Sequence, residues 1–272
     1  MSTSIRDVIY EPPGPKTRKW ITIFTMVSLA AIAALIAVII RQFYITGQLD
    51  AKYWLFFTKY STWKFLGKGL AGTLKAAIMA GVIAFVAGLL LMLGRISKSR
   101  ILRGISIVLI DFSRGVPTLL FIYFFFLIAP QFGLKLSAFL KITVPVAISA
   151  SGVVAEVLRS GVNAVPKGQS EAAHSLGMSD GSVFFKIVFP QALRYVVPAL
   201  ISELVIVLKD TTFAYVVNYA DLMQNAKVLI SNHDALLSVY LVVALIYILI
   251  NFLLNKASVA VARRRSISAI SI

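Results

Sequence analysis

Six polar side chains stand inside or at the ends of long apolar runs: Thr73, Glu156, Arg159, Lys209, Asp210 and Thr211. A carboxylate late in an apolar helix is costly unless it is paired or faces a polar path. Glu156 could hold the ammonium of a passing solute, or it could form an ion pair with Arg159, three residues and about one helical turn on. Lys209 and Asp210, beside Thr211 and Thr212, read either as a gate or internal pair, or as a plain interfacial turn. Asp111 and Arg114 are spaced to pair with each other. His174 and His233 are far apart, and the chain has no cysteine, so no metal site and no thiol nucleophile are assigned. No catalytic residue is assigned. No G-x-x-x-x-G-K-[ST] phosphate loop occurs, so this chain is not expected to bind ATP. A membrane-embedded enzyme would need a catalytic pair or a metal cluster, and with two histidines and no cysteine only a carboxylate or Ser–Lys site could serve.

The elements that carry these residues are membrane helices. Of 272 residues, 59% are hydrophobic and 14% charged, against roughly 45–50% and about 25% in soluble domains. The excess falls in blocks long enough to cross about 30 Å of hydrocarbon. About six spans are expected: Trp20 to Ile40, Leu70 to Leu93, Ile105 to Ile128, Ile142 to Leu158, Ala192 to Leu208 and Ala235 to Leu254. The first is too long for a signal-peptide core and reads as a retained helix. Pro117 should bend the third. On the second, Ala80, Ala84 and Gly88 form a small-residue seam that lets a neighbour approach closely.

The fold class is therefore an all-α integral membrane protein. Residues 1–68 read as a tail, a first helix and an aromatic outer loop; 69–258 as the core; 259–272 as a basic tail with Arg263, Arg264 and Arg265. In that tail Ser266 and Ser268 read as solvated. Net charge is +16, but the basic residues flank apolar blocks, where they hold loops on the cytoplasmic side, so nucleic acid is not the expected partner. With six crossings, both termini are expected in the cytoplasm, together with the turn at 95–103 and the polar stretch 159–191.

That polar stretch is the most informative. In 166–190, Ser170 or Gln169 can start a short helix with Glu171 at its positive end, and Gly177 can end it. Ser179 or Asp180 can cap a second helix, closed by Pro190. Two short amphipathic helices on the membrane face can be gripped by another protein, although a capped surface loop is an equal reading from physics alone.

Glu171-Ala172-Ala173, then Gly177, Ile187 and Pro190, resemble the E-A-A-x-x-x-G-x9-I-x-L-P loop of binding-protein-dependent ATP-binding-cassette importers, with Phe189 in place of Leu. Further strings match the polar amino-acid branch of that family. Arg114-Gly115-Val116-Pro117 resembles R-G-x-P, and Ala155-Glu156 with Arg159 resembles A-E-x-x-R. Pro166 to Gln169 resembles P-x-G-Q, Pro190 to Arg194 resembles P-Q-A-L-R, and Lys209 to Thr212 resembles K-D-T-S. In family order they cover about residues 69–256. The N-terminal 68 residues are similar to those of the larger permease of glutamate importers.

The resemblance implies a type I importer permease fold and import of a polar amino acid, glutamate or glutamine favoured, by alternating access. It implies that 166–190 docks on a dimeric ATPase, which alone holds ATP and magnesium. A binding protein outside the membrane and a second permease, more readily a sister than a copy, complete the set. It also implies that Thr73 can meet a substrate carboxylate, although a packing role is as good a reading of that threonine. The alternative function is a gradient-driven secondary amino-acid transporter, which would need intramembrane acids for protons and no docking loop.

Overall fold

The computed structural model describes residues 14–270, with side chains through residue 260. The stretch before Gly14 and the side chains of Arg263 to Arg265, Ser266 and Ser268 lie outside the described residues. Among the described residues every regular element is helical. The chain divides into two units, Met1–Trp54 and Leu55–Ile272.

The first unit is built on α1, Pro15–Ile45. It begins earlier than the apolar run because Pro15 occupies the first turn, where its missing N–H costs nothing. Its apolar side chains are exposed, from Trp20 to Ile45, as suits a helix that meets lipid on its flanks.

In the second unit α2 runs Tyr60–Ile96, so the later part of the aromatic segment 41–68 is helical rather than loop. The small-residue seam is realised: Ala80 and Ala84 are fully buried and Gly88 is enclosed. A side chain at Gly88 would collide with Val154 and the Ser151 carbonyl of α5, Ala138–Ala164. Helix α5 is the centre of the bundle and packs on α2, on α3 (Arg100–Gly115) and on α8 (Phe189–Asp210). Ile142, Val146, Ala150, Val154 and Leu158 give it one continuous buried face.

The third expected span is a broken one. Helix α3 meets α4, Thr118–Tyr123, at 97° across Val116 and Pro117. Residue 116 must stay extended before a proline, and Pro117 then caps the new helix. The path continues through a π-turn to Ile128 and a 3-10 turn to Phe132.

Beyond α5 lie α6, Lys167–Ser175, and α7, Asp180–Val183. The structure corrects the sequence reading of Pro190, which does not close a separate helix. A π-turn over Phe184–Val188 carries α7 directly into α8, with Pro190 in the first turn of α8, where its missing donor is tolerated. Helix α8 runs on through a 3-10 turn, Thr211–Val217. Helices α9, Leu222–His233, and α10, Leu236–Ile270, complete the chain. Five described helices are long and apolar enough to span a membrane, or six if the bent α3–α4 pair crosses as one.

A docking loop, a charge cluster and the membrane polar groups

Helix α6 starts at Lys167 with Pro166 as its N-cap, earlier than the sequence reading placed it. Glu171 consequently lies in the second turn, and the expected contact with the positive helix end is not made. The other end is as expected from Gly177. The Gly177 amide bonds the His174 carbonyl at 2.9 Å, and the Met178 amide bonds the Ala173 carbonyl at 3.2 Å. This Schellman pair needs a left-handed residue at position 177, and Gly177 has φ +78°. Ala173 turns inward onto Val165, Val183, Val188 and Ala192, with Ile187 packed beside them. Glu171, Ala172 and Pro190 remain exposed. Leu176, at the helix cap, is 83% exposed.

The loop is tied back to the bundle by charge. Lys98, in the turn between α2 and α3, bonds Asp180 at 2.5 Å, and His174 lies 3.7 Å from the same carboxylate. The Asp180 carboxylate holds the Lys98 ammonium above its usual range. His174 also meets the Met178 carbonyl through Nδ1 at 3.2 Å. His233 is stacked on Phe56 instead, so the two histidines serve different regions.

Glu156 is a shared acceptor. Arg159 donates to its Oε2 through Nε and Nη2, at 3.0 and 2.8 Å, and Arg95 donates to Oε1. Arg114 adds a further positive charge nearby. The expected Asp111–Arg114 pair is absent among the described ion pairs: the packing of α3 on α5 brings Arg114 alongside Gly152 of α5, next to the Glu156 cluster. Arg95 is the partner that sequence reasoning missed. It lies 61 positions away in the chain, and no local spacing connects the two.

Thr73 occupies a packing position. It is fully buried, donates to the Gly69 carbonyl and accepts the Leu222 amide at 3.0 Å, fastening α9 to α2. Lys209 and Asp210 do not pair with each other. Asp210 accepts a 2.8 Å bond from Thr118, the first residue of α4, whose hydroxyl also lies 2.9 Å from Ser149 of α5. Lys209 is exposed, and Thr211 is buried with its hydroxyl on the Leu208 carbonyl. The broken third span thus delivers Thr118 to Asp210. Glu203, which the sequence reading passed over, is 7% exposed in the middle of α8. A carboxylate in a long apolar run was the available signal.

A model of binding-protein-dependent transport system inner membrane components matches residues 80–267. The chain belongs to that family. It is a multi-pass membrane permease subunit of an ATP-binding-cassette importer and not an enzyme; ATP is hydrolysed on a separate chain. The permease is 38% identical over 222 residues to the glutamate transport system permease protein GluD of Corynebacterium glutamicum, covering 80% of this chain and 81% of the relative. It is 34% identical over 197 residues to the probable glutamine ABC transporter permease protein GlnP of Bacillus subtilis, covering 71% and 90%. The crystal structure of an amino acid ABC transporter with histidines has a chain that superimposes with a TM-score of 0.71 at 31% identity, over 77% of this permease and 97% of that chain. A family permease of this kind works with an ATPase subunit and a substrate-binding protein.

Proposed function

We propose that this permease imports a polar amino acid of the glutamate and glutamine class, and that residues 166–190 are the element its ATPase partner grips. The observation that carries the second part is the α6 cap. Gly177 and Met178 fix the helix end so that Leu176 stands out from the surface, while Ala173 anchors the loop to α8 through Val188 and Ala192. Closure of a gripping partner therefore pulls on α8 directly, because α7 and α8 form one helical path. Glu171, Ala172 and Gly177 shape the outer face; Ile187 and Pro190 shape the junction. ATP and magnesium belong to the partner.

The substrate class rests on what the relatives are named for: glutamate and glutamine. Within the bundle, Lys209 and Asp210, with Thr118, offer polar groups to a solute, whereas Thr73 fastens α9 to α2, Thr211 bonds back to its own helix at Leu208, and Glu156, beside Arg159 in α5, is tied to Arg95 at the end of α2. The same reading has both termini in the cytoplasm and a second permease that is a sister rather than a copy of this chain.

The test is ATP-dependent uptake of labelled glutamate, glutamine, arginine and histidine into proteoliposomes that hold this chain with its partner subunits and binding protein. Glu171→Lys and Gly177→Asp are measured beside it. Uptake of glutamate or glutamine that needs ATP and is lost in both variants, with the complex still assembled, supports the reading. Uptake indifferent to ATP and to the loop variants overturns it in favour of a gradient-driven transporter.

A further inference from the structure

A cavity of about 300 Å³ lies between α2 and α8, with Val154 of α5 also in its wall. Its walls are otherwise apolar, including Val82, Phe85 and Leu204, and the Glu203 carboxyl is the one titratable group among its lining residues. Glu203 is more than nine-tenths buried, at 7% exposure. Among the described residues it has no hydrogen bond and no ion pair. Three arginines of the bundle are engaged elsewhere: Arg95 and Arg159 are bound to Glu156, and Arg114 lies beside them. The charge that bears on Glu203 is another acid, Asp210, seven positions on along the same helix face.

An ionisable side chain at membrane depth is retained where it meets a partner or a polar path. Here the neighbouring charge is negative, and among the described residues no cation pairs with Glu203. A ligand for this pocket must therefore bring positive charge or a strong donor, and be small. Transporter sites commonly bring such polar groups together between helices inside the membrane.

We propose that Glu203 binds the ammonium group of the amino acid as it crosses, an inference that rests on the importer reading above. The ammonium is common to all amino acids, so this contact selects the class and leaves the choice of side chain to other groups.

The test uses the assembled importer in proteoliposomes, with L-glutamate or L-glutamine, whichever the wild type accumulates, and the N-acetyl form of that amino acid. Labelling of Glu203 by a lipid-soluble carbodiimide is read by mass spectrometry. The free amino acid should protect Glu203 and the acetylated one should not. Glu203→Gln should lower uptake roughly tenfold to hundredfold, the range for losing one charge-assisted hydrogen bond, and Glu203→Asp should recover part of it, with binding-protein-stimulated ATP hydrolysis retained in both. Equal labelling with and without amino acid overturns the proposal. So does labelling blocked solely by assembly with the second permease, which would make Glu203 an interface group. Wild-type complex that accumulates no amino acid in response to ATP sinks the importer reading itself, and that result is available before any variant is made.

Discussion

Arg95 at the end of α2 and Glu156 in α5 form an ion pair across 61 positions of chain, and Glu156 shares its other oxygen with Arg159. One carboxylate therefore ties two helices and neutralises part of a cluster that includes Arg114. Glu156→Gln should leave three guanidinium groups crowded together without a counter-charge. Expected destabilisation is about 1–2 kcal/mol, below the figure for a fully buried pair because the arginines reach water. A double-mutant cycle of Arg95→Gln and Glu156→Gln, read by thermal unfolding of the purified subunit, should give a coupling energy of the same sign; additive effects would refute the link.

Asp221 caps α9 through a 2.7 Å bond to the Gln224 amide, and its carboxyl is fully buried. Burial pushes that carboxyl up from 3.8 to about 6. The folded state thus prefers the protonated form: this contribution is fully present below 3.8 and lost as pH rises through about 6. At neutral pH the ionised group costs about 2–3 kcal/mol. Asp221→Asn keeps the cap and removes the charge, so it should raise the unfolding midpoint at pH 7.5. The advantage should shrink as pH falls from 6 toward 4. A gain independent of pH would contradict this account.

Gly177 has open space where a side chain would go, but φ +78° is unfavourable for any L residue with a Cβ. Gly177→Ala should cost about 1 kcal/mol, confined to the end of α6. Hydrogen exchange of the amides at 177 and 178 should speed up roughly fivefold for that energy, while α5 and α8 stay protected. Exchange that rises throughout the bundle would point to a wider role.

Gly88 differs in kind, because there the obstacle is contact: an added Cβ would lie 2.7 Å from Val154 and 2.8 Å from the Ser151 carbonyl. Gly88→Val should push α2 and α5 apart at a cost of about 1–3 kcal/mol. Gly104, with nothing near it, should accept the same change with little effect on the packing. Paired unfolding curves for the two variants test the distinction.

Much of this was legible from order along the chain. Apolar run length found the helices, the spacing of Ala80, Ala84 and Gly88 found the α2 seam, and Gly177 announced a left-handed cap, because each depends on local geometry alone. The Glu171 to Pro190 string identified the family for the same reason: a docking loop is a contiguous segment. What local order could not supply was which charges meet. Arg95 reaches Glu156, and Thr118 reaches Asp210, because close helix packing and the 97° break after α3 bring distant positions together. Glu156 had a near partner at Arg159 that concealed the far one, and Asp111 lost its expected partner to the same cluster. Pro190 read as a stop from its chemistry, yet the π-turn before it let the helix pass. Membrane burial makes an unpaired charge expensive, so the sequence marked the residues that required partners; the choice of partner was made by the tertiary fold.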